Sequence, residues 1–296
     1  AFPAHVKYSP PPDTSVDTVI LNGCECEPFL TCDHRVMLEE TEYIVSGLEA
    51  IMKACEAERG VIGVEDNKPD AYEALRRAVG DRPYEVVSLK TKYPEGAEKQ
   101  LIDAITGREV PPGGLPLNIG VVVSNVSTAV AVARALKSGI PLIERVVTVS
   151  GDVIAEPKNL RVRLGTPYEV LLEACGGFTE PPARLISGGP MMGLAVYDLD
   201  IPVTKGTSGL VALSDGVSPI LEEGPCIRCG RCVEACPSFL MPLYLATYPD
   251  ESALEYRPLD CIECGCCTYV CPGNRHLLQR IRLAKAEATA RQRAQS

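Results

Sequence analysis

The chain has 296 residues, 46% hydrophobic and 23% charged, with four Phe, eleven Tyr and no Trp. That composition belongs to a globular protein long enough for two or three domains, and it leaves little material for an aromatic-lined pocket. The net charge of −10 excludes nucleic acid as the main partner, because affinity for polyphosphate rests on Lys and Arg releasing counterions.

The opening, AFPAHVKYSPPPD, has no initiator Met and reads as the tail of a longer segment. From Thr18 onward apolar runs alternate with helical periodicity. Residues 19–21 are a short buried-strand candidate, and residues 36–55 place Ile44, Val45, Leu48, Ile51 and Met52 at the spacing of one helix. Strands are expected at 61–64 and 84–89, and helices at 71–79 and 97–105. A Pro/Gly-rich connection at 110–116, a strand at 119–123 and a helix at 128–137 follow. This alternation predicts parallel βαβ units. The longest apolar stretch, 119–136, is broken by Ser124, Asn125, Ser127, Thr128 and Arg134, so no membrane span is expected, and nothing reads as a signal peptide. After Pro141 the texture changes to short strands at 146–149, 160–164 and 209–213 with one helix at 168–174, a small mixed α/β module. The segment after His276 is rich in Arg, Lys, Ala and Gln and is expected to form a basic helix exposed on most faces.

Between these last two regions lie most of the 14 cysteines. Cys226, Cys229, Cys232 and Cys236-Pro237 form one CxxCxxCxxxCP run, and Cys261, Cys264, Cys267 and Cys271-Pro272 form a second. A cubane needs four thiolates at its corners, three from one tight loop and a fourth from farther away. Zinc sites also use paired CxxC elements, but they do not call for a third cysteine at the same spacing and a fourth before proline, twice over. Two [4Fe–4S] clusters are therefore expected in a reducing compartment. In paired runs the fourth cysteine crosses over. Cys226, Cys229, Cys232 and Cys271 are expected to hold one cluster, and Cys261, Cys264, Cys267 and Cys236 the other, with Cys266 a spectator thiol.

The element NGCECEP, residues 22–28, follows directly on the first strand, where α/β sheets place ligands. Together with Phe2-Pro3, Lys7, the extended NGCECEPFLTCDHR, YPEGAEKQL, TGREVPPGGLP, SNVSTAVAV and the two cysteine runs, it makes the chain resemble the C subunit of the Rnf electron-transport complex, itself similar to the flavin- and NADH-binding subunit of respiratory complex I. The resemblance spans essentially the whole chain. It implies an α/β Rossmann-like FMN/NADH domain at 1–140, a β-grasp SLBB-type module at 141–215, an α-helical ferredoxin-type 2[4Fe–4S] domain at 222–280 and a basic helical tail at 281–296. It further implies catalytic roles for Glu25, Glu27 and Lys7, and cofactor contacts from Phe2, Lys7, Asn22, Glu25, Glu27 and Asn125. Cys24 and Cys26 stand where the complex I relative has an aspartate and a serine.

The implied function is NADH oxidation, or NAD+ reduction, at FMN with single electrons relayed through the clusters. The implied partners are the other subunits of a membrane-bound ion-translocating complex and a ferredoxin-like subunit, at the cytoplasmic face of a bacterial or archaeal membrane. In the family the glycine-rich phosphate cradle precedes the position of Ala1, so weak or absent flavin binding is expected of this chain. The runner-up readings are a related flavin/iron–sulfur reductase, acting on cobalamin or serving proline reductase, and a ferredoxin-like carrier without its own flavin.

Overall fold

The structure, a computed structural model, describes residues 3–247 and 255–295. It divides into two compact units, Ala1–Ser218 and Pro219–Ser296. The first unit begins with a short turn of helix, α1 (Ala4–Lys7), then alternates β1 (Thr18–Gly23), α2 (Cys32–Glu39), α3 (Thr41–Cys55), β2 (Arg59–Glu65), α4 (Pro69–Val79), β3 (Tyr84–Leu89), α5 (Glu98–Thr106), β4 (Val121–Asn125) and α6 (Val126–Ser138). The four strands form one sheet in the order β3-β2-β1-β4, parallel throughout. β1, β2 and β4 are near-continuous apolar runs because both faces are covered. Val19 and Leu21 join one core with α2, α3, α4 and α6, and Ile20 joins the opposite core with Leu101 and Ile102 of α5. The chain thus winds outward from β1 on one face and returns to β4 across the other.

The expected helix at 36–55 is two helices broken at Glu40, which adopts φ −120° and ψ 25°. No Gly or Pro marks the break; tertiary charge pairing accompanies it. The nearly buried Glu40 accepts from Arg134 of α6 at 2.5 Å and from Arg161 at 2.6 Å, and both arginines also reach Glu144. Thr41 Oγ1 donates back to the Met37 and Leu38 carbonyls, closing the end of α2. The Pro/Gly-rich connection ends in a 3-10 turn at Pro116–Ile119, so β4 starts at Val121. That connection lies at the amino-terminal edge of the sheet.

A second, mixed sheet completes this unit: β5 (Glu144–Ser150), β6 (Lys158–Arg163), β7 (Arg184–Ser187), β8 (Leu194–Ala195) and β9 (Gly209–Leu213), ordered β6-β5-β9-β7-β8. One helix, α7 (Tyr168–Ala174), packs Tyr168, Leu171 and Leu172 into its core. The strands β7 and β8 are too short and irregular for periodicity to reveal them.

The second unit has four helices among its described residues: α8 (Arg231–Glu234), α9 (Pro242–Leu245), α10 (Cys266–Tyr269) and α11 (Leu277–Gln295). The tail helix is exposed on most faces, and it buries one. α11 starts at Leu277, and Leu277, Ile281, Ala284 and Ala288 are buried along one stripe. Arg282 and Lys285 are committed to Glu263 at 2.9 and 2.8 Å. Two of the stripe's buried residues are Ala, whose weak hydrophobicity hides the face from sequence reasoning.

Candidate functional site

β1 and β4 are neighbours at the point where the strand order reverses, the chain running from β1 to β2 and β3 on one side and then to β4 on the other, so the crevice beyond their carboxyl ends is the topological switch point of the sheet. Asn22 and Asn125 face each other in register there. Asn22 donates through Nδ2 to the Gly96 carbonyl at 2.8 Å and accepts from the Cys24 N–H at 3.0 Å. Asn125 caps α6 by accepting from Ser127 N at 2.8 Å, and its Nδ2 donates to Asp33 Oδ2 at 2.7 Å. Asp33 also accepts from Ser127 Oγ at 2.7 Å. Glu25 sits on the first turn of α2, accepting from the N–H groups of Asp33 at 2.9 Å and His34 at 3.1 Å and from the Cys32 thiol. Burial, with the adjacent Asp33 carboxylate second, pushes Glu25 up to about 7 even against those donors.

The floor of the crevice is set by the loop before α5. Gly96 admits no side chain, since a Cβ there would lie 2.3 Å from the Cys24 carbonyl oxygen, and its N–H supports Cys26. Burial raises both neighbouring thiols: Cys26 to about 11, and Cys24 well above the usual thiol range with help from Glu65 and Glu95. They are neutral packing groups at pH 7 rather than nucleophiles. Beside them Lys68 and Glu65 form a buried pair at 2.6 Å, and Lys68 Nζ also reaches the Glu25 carbonyl at 3.3 Å. Glu65 Oε1 is buried with no partner among the described residues, which leaves an acceptor for a bound molecule.

The remaining sequence candidates scatter. Lys7 pairs with Glu98, the first residue of α5, at 2.9 Å, and the neighbouring Tyr8 hydroxyl meets Ser124 Oγ at 2.6 Å at the end of β4. Glu27 is held by the second sheet, its oxygens accepting from Met191 N at 3.0 Å and Met192 N at 2.7 Å. Phe2 lies outside the described residues. Sequence reasoning singles out no role for Asp33, Gly96, Glu65 or Lys68. Asp33 and Gly96 stand inside the segments NGCECEPFLTCDHR and YPEGAEKQL that carry the resemblance, whereas the Glu65-x-x-Lys68 spacing reads as an ordinary surface pair until β2 is known to bury it.

In the second unit the eight run cysteines line two cavities. Cys261, Cys264 and Cys267 line the first together with Cys236, while Cys226, Cys229 and Cys232 line the other together with Cys271. The fourth cysteine of each run therefore faces the other run's cavity. The two loops repeat each other's backbone: Arg228 and Glu263, Gly230 and Gly265, and Phe239 and Asn274 are equivalent left-handed positions, with φ from 51° to 81°. Each loop can thereby turn three thiols toward one centre. N–H groups of Leu240 and Glu263 approach Cys236 and Cys261 Sγ at 3.3 and 3.4 Å. Four sulfur donors around a cavity, with N–H support, fit a cubane cluster. Cys266 lines the same cavity as Cys264, and its counterpart in the first run is Arg231.

Three family models match in chain order: the Nuo51 FMN-binding domain over 1–134, the SLBB domain over 146–195 and a 4Fe-4S dicluster domain over 225–274. The chain is 52% identical to the C subunit of the proton-translocating ferredoxin:NAD(+) oxidoreductase complex of Clostridium ljungdahlii, over 98% of this chain and 64% of that protein. It is 51% identical to the C subunit of the Na(+)-translocating ferredoxin:NAD(+) oxidoreductase complex of Acetobacterium woodii, over 99% of this chain and 67% of that one. The chain belongs to this Rnf C-subunit family. It spans 64% of the Clostridium relative and 38% of the C subunit of the ion-translocating oxidoreductase complex of Pseudomonas aeruginosa, to which it is 41% identical. Crystal structures of an NAD+-reducing [NiFe]-hydrogenase in H2-reduced and air-oxidised states share the fold, with a TM-score of 0.64 at 18% identity, covering 97% of this chain and 59% of theirs. Fold class and family thus agree with the resemblance seen in the sequence. The FMN-binding family model covers this crevice, where the buried Glu65 Oε1 has no partner among the described residues and the amides of Asn22 and Asn125 are held by their own neighbours.

Proposed function

We propose that this chain relays electrons between NAD(H) and a ferredoxin-like partner subunit of an ion-translocating membrane complex. The observation that carries the reading is the pair of thiol-lined cavities, each completed by the other run's cysteine, in a chain whose other unit presents a switch-point crevice of the FMN-binding family. When bound, a flavin exchanges hydride with nicotinamide and single electrons with the clusters, which neither could do alone.

The protein's own groups supply position and protons. Cys226, Cys229, Cys232 and Cys271 hold one cluster, and Cys261, Cys264, Cys267 and Cys236 the other. Asn22 and Asn125 orient the flavin ring, Glu25 exchanges a proton near neutrality, and Glu27 serves the nicotinamide end. Lys7, held by Glu98, sets positive charge beside the crevice. Among the described residues no helix is long and apolar enough to cross a membrane. We place the chain peripherally, at the cytoplasmic face, held there by partner subunits.

Iron, sulfide and flavin should be quantified on the full-length protein, followed by anaerobic NADH addition. The expected result is about eight iron and eight sulfide per chain, with bleaching of the flavin absorbance. Zinc in place of iron, or a flavin that NADH leaves oxidised, would overturn the assignment.

A further inference from the structure

Glu25 and Glu27 are two residues apart in one loop, yet different elements of the first unit hold them. Glu25 belongs to the first turn of α2, whereas both Glu27 oxygens are taken by backbone N–H groups of the second sheet's β7–β8 loop, Met191 at 3.0 Å and Met192 at 2.7 Å. That loop, residues 188–193, is shaped to receive a carboxylate. Gly188 has φ +98°, and a Cβ at Gly189 would fall 2.4 Å from Glu27 Oε2. A Cβ at Gly193 would fall 2.4 Å from the Gly189 carbonyl oxygen. Glycines here let backbone approach where any side chain would intrude.

The chain after Glu27 is tied to the same sheet at successive points. Ser150 Oγ donates to the Phe29 carbonyl at 2.6 Å, Leu30 enters a core cluster with Ile186, Val211 and Leu213, and Thr31 N donates to Thr148 Oγ1 at 3.1 Å. Phe29 takes φ +66° to make the bend.

We infer that the 188–193 loop is a positioning latch for Glu27, by which the second sheet fixes the nicotinamide end of the crevice. This rests on the proposed reading that Glu27 serves that end. A carboxylate holding two N–H donors keeps about two further lone-pair sites, so the latched group still accepts from an amide or hydroxyl of a nicotinamide nucleotide. The latch removes the rotamer freedom that a free glutamate would lose on binding. The second module's contribution to the site is thus made through Gly189, Met191 and Met192, which are positioning residues.

The test is a double-mutant cycle in the cofactor-loaded full-length protein, reading flavin and iron content, and KM and kcat for NADH with ferricyanide as acceptor. Gly189→Ala should raise the KM for NADH by about tenfold, while flavin and iron content stay at wild-type levels. The Gly189→Ala/Glu27→Gln double variant should match Glu27→Gln alone within about twofold, because the loop acts through that carboxylate. Met192→Pro, which removes one donor and leaves Gly189 in place, should reproduce the KM shift and serves if Gly189→Ala does not fold. The latch is overturned if Glu27→Gln raises KM while both loop variants leave it unchanged, or if the two effects multiply in the double variant. If Glu27→Gln itself leaves NADH kinetics unchanged, the nicotinamide reading of Glu27 fails and the latch falls with it.

Discussion

Glu25 is a carboxylate surrounded by donors that is nonetheless hard to ionise. Its donors are the N–H groups of Asp33 and His34 and the Cys32 thiol, its backbone carbonyl accepts from the Lys68 ammonium, and the Asp33 carboxylate is a like charge nearby. Burial outweighs the donors and pushes it up to about 7. A folded value above the unfolded one means that the native state binds the proton more tightly. The resulting stabilisation is complete below the ordinary glutamate value of about 4.3 and is lost as pH rises through about 7. Thermal unfolding of wild type and Glu25→Gln, followed from about pH 4 to pH 8, should diverge, with the wild-type Tm falling relative to the variant as pH rises. A constant difference across that range would mean that Glu25 does not titrate there.

The helices α3 and α6 approach at Gly47, where an added Cβ would lie 2.1 Å from the Ala129 carbonyl oxygen and 2.6 Å from its carbon. Both atoms are backbone, so no rotamer change can relieve the clash. Gly47→Ala should therefore destabilise the first unit by about 3 kcal/mol, the upper end of the usual overpacking cost, even though alanine is the better helix former. Gly206→Ala, at a position whose nearest neighbouring atom is 4.0 Å away, is the control and should be close to neutral. Equal melting of the two variants would remove the close approach as a constraint. Because α3 and α6 cover the same face of the sheet, their spacing also fixes where Asn125, at the amino end of α6, stands beside β1.

Across the whole chain, the two cysteine runs make the sharpest claim. Cys236→Ala should damage the cluster held by Cys261, Cys264 and Cys267 first, and Cys271→Ala the one held by Cys226, Cys229 and Cys232. Variant-specific loss of one electron paramagnetic resonance signal would separate the cases, and loss of each run's own cluster would sink the crossed arrangement. The cysteine runs, the parallel α/β pattern and the family were all legible in the sequence, because thiolate spacing, apolar period and short motifs are local properties of the chain. The break at Glu40 was not legible, since two arginines from distant elements pair there. Nor was the buried stripe of α11, where Ala284 joins a cluster with Leu245, Ala246 and Cys267 that the fold alone assembles. The destination of Glu27 was hidden for the same reason. Sequence places it two residues from Glu25 in one loop, and only the tertiary fold, by bringing the N–H groups of a loop 164 residues away against its carboxylate, decides that the two glutamates are held by different elements.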